Sequence, residues 1–333
     1  MLLCSPAYEF HKGHYGKMIE FYGKTLHTFR ANLHTHSTTS DGKLTPNEVM
    51  AVYSRAGYDV MCMTDHRRTN HISAIDDHGM LVLSGVELHP SGGRILRSHL
   101  LCINVPEDFD VSVGEAGAPG DNGMQKVVDA VNAAGGLCYF AHPYWCGFRA
   151  EEVAALHGLA GIEVYNTSTR YIGREYNMQI WDELCDMGLR FPALAVDDVH
   201  RPHDFFGGWS VICCEARTPE CVVAALRAGS FYSTQGPQFK RLSFENGIFE
   251  AEFTPVTSAI CISNQCRGFC AAAPNKDGDG KTPEITSLRF DVRNLFAASK
   301  AVINCDYLRC QLRDAQGRYA WSNPIFIPEE YRG

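Results

Sequence analysis

The sequence predicts an α/β fold in which a mostly parallel, barrel-like strand–helix domain is followed by a small antiparallel β domain. Three observations carry that prediction. Residues 30 to about 235 alternate short apolar strands with amphipathic helices, the βαβ signature of a parallel sheet or barrel. Six apolar runs in that region each adjoin residues that bind metal, and parallel α/β barrels place their chemistry at the C-terminal ends of strands. After Gln235-Gly236-Pro237 the texture changes: strand-like runs recur and helical periodicity fades. The expected organisation is an N-terminal segment (1–28), a barrel (29–238) and a sandwich-like β domain (239–333).

The elements follow in order. The run ending at Leu33 leads into His34-Thr35-His36. Thr45 can cap the first helix, Pro46 suits its first position, and Glu48 completes a capping box. Val49, Val52 and Tyr53 then share a face, and Gly57 ends the helix in the left-handed conformation. The run from Tyr58 to Thr64 ends in Asp65-His66, and Leu81 to Val86 ends in Glu87. Ser98-His99 opens the strand Leu100 to Ile103. A second helix spans about Met124 to Ala134 and stops at Gly135-Gly136; the next strand ends in His142-Pro143. A third helix is expected over Arg174 to Met187, and the strand after it ends in Asp197-Asp198-Val199-His200. A fourth runs from Glu220 to Ala228 and stops at Gly229. Beyond 238, strands are expected at 242–244, 249–253, 259–263, 287–292, 307–312 and 324–327. Asn275 to Gly280 is a surface turn; Glu284 is out of register for a calcium loop.

Composition narrows the function. A net charge of -8 argues against nonspecific grip on a nucleic-acid backbone, leaving nucleotides or short oligonucleotides at most. It leaves small phosphorylated substrates open, because local charge can oppose the global sign. No apolar run reaches the ~18 residues of a spanning helix, and no signal-peptide core precedes Arg30. A cytoplasmic protein with reduced thiols is expected, and Cys261, Cys266 and Cys270 fit no zinc or iron–sulfur spacing.

The candidate site residues are histidines and carboxylates at strand ends. His34 and His36, two apart in an extended strand, point to one face and can bite one ion together. Asp41 lies in the polar turn that follows, as ligand or as turn-former before Gly42. Asp65 beside His66 can be ligand, orienter or catalytic group. A lone buried Glu87 is costly without a cation opposite. Asp198 and His200 repeat the two-residue spacing. Arg67, Arg68, Arg94, Arg97, Arg170, Arg174 and Arg201 lie near the same rim, and guanidinium suits phosphate. His89 and His203 neighbour ligand positions, and Glu163, Tyr165 and Asn166 end a further strand there.

Taken in order, these motifs resemble the polymerase and histidinol phosphatase (PHP) superfamily over roughly residues 30 to 205. The resemblance rests on His34-Thr35-His36, Ser40-Asp41-Gly42, Thr64-Asp65-His66, Gly85-Val86-Glu87, His99, Ala141-His142-Pro143 and Asp198-Val199-His200. Gly161 to Asn166, Gly229 to Pro237 and Ala320 to Ile325 are most similar to CehA/McbA-type metallohydrolases. The resemblance implies a distorted (β/α)7 barrel with two or three divalent ions. By position, His34, His36, Glu87 and Asp198 would hold the first ion. Glu87 would bridge to a second held by His99 and His142; Asp41, His66 and His200 would hold a third. Asp198 is preferred to Asp197, since its spacing to His200 matches the strand repeat.

The expected activity is phosphoester hydrolysis by a metal-bridging water, with no protein nucleophile, Asp65 and Arg201 assisting, and Arg67, Arg68, Arg94, Arg97, Arg170, Asn166 and Arg201 binding substrate. Manganese, iron and zinc all suit this nitrogen–oxygen set. Two other readings stand beside it: a carboxylic or carbamate ester hydrolase, and a non-catalytic metal-binding module.

Overall fold

A computed structural model describes residues 17–90, 98–115, 122–272, 284–297 and 305–332. Arg94, Arg97 and the Asn275–Gly280 turn lie outside the described residues.

The chain opens with the hairpin β1 (Met18–Phe21) and β2 (Lys24–Asn32). Then come α1 (Pro46–Arg55), β3 (Val60–Met63), β4 (Leu81–Leu88), β5 (Leu100–Ile103), α2 (Gly123–Ala133) and β6 (Leu137–Phe140). The short helices α3 (Pro143–Cys146) and α4 (Ala150–Ala154) precede β7 (Gly161–Asn166), α5 (Met178–Asp186) and β8 (Ala193–Val196). An antiparallel pair, β9 (Trp209–Cys214) and β10 (Phe231–Thr234), flanks α6 (Pro219–Ala228). The remainder is β11 (Phe239–Glu245), β12 (Ile248–Val256), β13 (Ser258–Ile262), β14 (Gly268–Ala272), β15 (Ile285–Asp291), α7 (Asn294–Ala297), β16 (Tyr307–Arg313), β17 (Tyr319–Ser322) and β18 (Ile325–Phe326).

The expected helix start is present: Thr45 and Glu48 form a capping box on α1, and Val49, Met50 and Tyr53 are its buried face. The third helix begins at Met178 rather than Arg174. Its leading residues are captured elsewhere: Asn177 N–H donates to Val164 O, and its side-chain oxygen accepts from Tyr144 N–H.

The sheet departs from a closed (β/α)7 barrel. β2, β3 and β4 pair in parallel, as do β6, β7 and β8, but β5 runs antiparallel to both β4 and β6. The connection from β4 to β5, residues 89 to 99, is shorter than the dozen or so that a parallel crossover needs. Reversal brings the start of β5 to the rim where β4 ends. The ring is not closed by a continuous ladder from β8 back to β2. Ser233 Oγ accepts from Ala195 N–H (2.8 Å) and donates to Ala193 O (2.7 Å), and Ser210 Oγ donates to Ala195 O (3.2 Å). At the rim, Asp198 N–H donates to His34 O (3.0 Å) and His36 N–H to Val199 O (3.2 Å).

Side chains on the ring strands alternate between two cores, as a period of two requires. Leu101, Ile103, Tyr139, Leu194 and Val196 join one; Leu100, Cys102, Cys138, Phe140, Ala193 and Ala195 join the other, under α2 and α5. A separate core of Phe249, Phe253, Leu288, Phe290, Leu308 and Leu312 fills the C-terminal β unit. β1 pairs with β11 and β10 with β17, so the unit is hydrogen-bonded into the same sheet. Arg309 on β16, buried against Trp181, makes a two-pronged ion pair with Asp182 on α5 (2.6 and 2.7 Å).

Candidate metal centre

Glu87, fully buried near the end of β4, is the hub of the rim. Its Oε2 lies 3.2 Å from His34 Nε2, 3.3 Å from His36 Nε2 and 2.8 Å from His66 Nδ1. Its Oε1 lies 2.8 Å from His99 Nδ1 and 3.3 Å from His142 Nε2. Asp198 Oδ1 faces the same pair from β8, 3.2 Å from His34 Nε2 and 2.9 Å from His36 Nε2, which are 3.1 Å apart.

These spacings suit a cation better than a hydrogen-bond network. Donors about 2.1 Å from a tetrahedral ion lie about 3.4 Å apart, and those at right angles about 3.0 Å apart. The separations among the facing nitrogen and oxygen atoms of His34, His36, Glu87 and Asp198 run from 2.9 to 3.3 Å. Glu87 Oε2 and Asp198 Oδ1 are buried oxygens without a hydrogen-bond partner among the described residues. Such orphaned acceptors are rare in folded proteins and mark a place for an ion, or strain. Three further groups converge: Glu87, His99 and His142; His66, Glu87 and His89; and His36, Asp41, His66 and His200. In the last, Asp41 Oδ1 is 3.4 Å from His200 Nε2, and Oδ2 is 3.7 Å from His66 Nε2. The donor set, nitrogen and oxygen with no thiolate, fits a hard or borderline divalent cation.

The rim backbone is bent to aim these groups. His142 (φ 27°) and Asp198 (φ 51°), each just past its strand, adopt left-handed conformations rare for such residues. Gly42 closes the turn after Asp41; a Cβ there would sit 2.7 Å from Ser37 N and 2.8 Å from His36 C.

Further buried groups fix the ligand candidates. Glu163 on β7 takes His34 Nδ1–H (2.6 Å) on Oε1, and His142 N–H and Asn166 Nδ2 (both 2.9 Å) on Oε2. That leaves His34 Nε2 for the cluster. Asn166 also donates to Asp198 Oδ2 (3.1 Å). His200 Nδ1 donates to Asp198 O (2.8 Å), and His142 Nδ1 meets Cys146 Sγ (3.4 Å). The sequence signal for Glu163 is the one that singled out Glu87: a lone acid in an otherwise apolar strand.

Electrostatics follow from the crowding. Burial alone would raise Glu87 and Asp198, but the imidazoles around them outweigh it and hold both well below the usual carboxylate range. Burial would likewise lower His36, yet the carboxylates of Asp198 and Glu87 lift it to about 9. His89, half-buried beside His99, is pushed down to about 3 by burial and by that neighbour.

Above the cluster lies a cavity of about 560 Å³. Of the arginines expected to read substrate, Arg67 and Arg201 line it, with Trp145 and Tyr171 forming an aromatic wall. Arg68 is exposed outside that lining, and Arg170 is engaged with Thr167 O (3.2 Å) and His203 O (2.9 Å). Asn166, expected as a substrate contact, is buried beneath the cluster. Asp65, expected as a catalytic group, faces the 37–42 turn instead. It accepts from Ser37 N–H, Ser37 Oγ, Ser40 N–H, Ser40 Oγ and Asn70 Nδ2 at 2.6–3.1 Å. Asp197 also points away, accepting from Tyr53, Thr167 and the N–H groups of Phe206, Gly207 and Gly208.

No protein-family model matches the chain. No curated protein sequence matches it either. Among solved structures it is similar to a two-domain protein from Bacteroides vulgatus described as containing a predicted PHP-like metal-dependent phosphoesterase. That likeness has a TM-score of 0.53 and 14% identity, over 96% of this chain and 99% of the other. It also resembles an amidohydrolase from Chromobacterium violaceum (TM-score 0.44, 20% identity, 60% of this chain and 96% of that one). A lesion-specific endonuclease from Pyrococcus furiosus gives a TM-score of 0.44 at 16% identity, over 60% of this chain and 56% of that one. The chain therefore shares the mixed α/β fold of the Bacteroides vulgatus protein, with clustered histidines and carboxylates able to hold metal at its rim.

Proposed function

We propose that this chain is a metal-dependent phosphoesterase acting on a small phosphate mono- or diester. The observation that carries the reading is the pair of buried, hydrogen-bond-free oxygens, Glu87 Oε2 and Asp198 Oδ1, facing His34 and His36. In this reading His34, His36, Glu87 and Asp198 hold one divalent ion. Glu87, His99 and His142 hold a second, and Asp41, His66 and His200 a third. Manganese, iron or zinc, when bound, would lower the pKa of water and offset charge developing at phosphorus.

The remaining work falls to the chain. Glu163 and Asn166 keep His34 and Asp198 aimed at the cluster. Arg67 and Arg201 offer guanidinium groups to phosphate oxygens at the cavity wall. Trp145 and Tyr171, joined by a hydrogen bond from Nε1 to the phenol oxygen (3.2 Å), give the ester's organic group an apolar face.

That aromatic wall also favours a second reading, hydrolysis of an aryl carboxylic or carbamate ester at the same ions. One assay separates them. The purified protein, supplied with manganese, should turn over p-nitrophenyl phosphate or bis(p-nitrophenyl) phosphate, and Asp198→Asn should abolish it. Turnover of p-nitrophenyl acetate or a carbamate alone would select the second reading. Absence of bound ions after loading would leave a non-enzymatic module.

A further inference from the structure

Three of the ring nitrogens turned away from the cluster each meet a single partner, His36 Nδ1 is buried without one among the described residues, and His66 differs again. His34 Nδ1 meets Glu163, His142 Nδ1 meets Cys146, and His200 Nδ1 meets a carbonyl. His66 Nε2 faces Asp41, but its Nδ1 stands between two acceptors, Glu87 Oε2 and His89 Nε2, each 2.8 Å away. The contact with His89 has hydrogen-bond geometry, whereas Glu87 Oε2 is left without a hydrogen-bond partner. We propose that His89 is a positioning residue: by accepting the Nδ1–H of His66 it turns His66 Nε2 toward Asp41 and keeps Glu87 Oε2 free for a cation.

His89 is held for that task. Its ring stacks on His99 with centroids 4.1 Å apart and planes within 13°, and meets His66 edge-on at 4.5 Å. Its carbonyl accepts from Arg67 Nη2 (3.2 Å), and Arg67 is tied in turn to Glu115 (3.1 Å) and, through its own N–H, to Glu87 O (3.0 Å). One imidazole thus touches a ligand candidate of the second ion and one of the third. With His89 absent, His66 Nδ1–H has Glu87 Oε2 as its remaining acceptor, which would take a lone pair from the hub and swing Nε2 off Asp41.

The inference rests on the reading of the rim as a metal centre, and its test separates the two. Native protein, His89→Ala and His89→Gln are stripped, loaded with zinc, dialysed, and counted for ions per chain, with circular dichroism confirming the fold. The native protein should keep its full complement. His89→Ala should lose one ion, or bind its weakest one about 10–100-fold less tightly, the range for removing a group behind a ligand. His89→Gln, whose amide oxygen can accept at the Nε2 position, should restore it. Native-like binding by folded His89→Ala overturns the role of His89 alone, as does a deficit that Gln leaves unrepaired. A native protein that holds no zinc overturns this inference and the proposed function together.

Discussion

Glu163→Gln is the sharpest perturbation of the rim. The native carboxylate accepts on both oxygens: His34 Nδ1–H on one, His142 N–H and Asn166 Nδ2 on the other. Glutamine offers one acceptor and one NH₂. If its oxygen faces His142 and Asn166, its NH₂ confronts His34 Nδ1. His34 must then accept there and carry its proton on Nε2, the atom 3.2 Å from both Glu87 Oε2 and Asp198 Oδ1. One donor leaves the first-ion group with almost no change of shape. The expected cost is about 10–100-fold in affinity, or about 1.4–2.8 kcal/mol at 1.4 kcal/mol per tenfold. Zinc titration against a chromophoric chelator reads it directly, and a melting curve of the ion-free variant checks that the fold survives. Native affinity in a folded Glu163→Gln protein would refute the claim that this carboxylate sets the tautomer of His34.

Other expectations follow from the same geometry. Asp197→Asn should destabilise the fold by roughly 2–4 kcal/mol, because it disturbs five donors around one buried carboxylate, while leaving the ion count unchanged; denaturant melts with metal analysis check both. In the ion-free protein His34 and His36 are raised above the ordinary imidazole value, His36 to about 9, once nearby carboxylates outweigh burial. Their stabilisation is full below about pH 6.5 and fades as pH rises through the raised values. Ion binding should therefore release protons near pH 7 and tighten toward pH 9, which calorimetry in buffers of different ionisation enthalpy detects. Arg67→Ala and Arg201→Ala should each raise KM for a phosphate ester by roughly fivefold, about the 1 kcal/mol upper range for an exposed ion pair, with ion content intact in Arg201→Ala.

Much of the rim was legible because strand ends are where burial gives way to chemistry. His34, His36, Glu87 and Asp198 each interrupt an apolar run, and that interruption is visible without any coordinates. The α1 cap was equally legible, since a capping box is local. Direction was not. That β5 runs backwards depends on pairing with β4 and β6, so His99 reached the rim from the start of its strand rather than the end. Asp65 and Asn166 neighbour ligand candidates in sequence, but the fold turns one into the 37–42 turn and the other beneath the cluster. α5 starts later than helical periodicity predicts because Tyr176 bridges to Tyr165 and Asn177 is drawn to β7. Such capture by distant partners leaves no trace in helical periodicity.

The turn at Asp41 has a consequence for how the rim would fill. Asp41 keeps 57% of its side chain in solvent, against 0% for Glu87 and 6% for Asp198. It also rides on a bend that tolerates no side chain at Gly42. Loading would then be hierarchical: the deep positions saturate first and exchange slowly, while the outermost fills last and empties first on dilution. A preparation carrying two equivalents and one carrying three would differ in the posture of three residues, Asp41, His66 and His200, not in the identity of the protein.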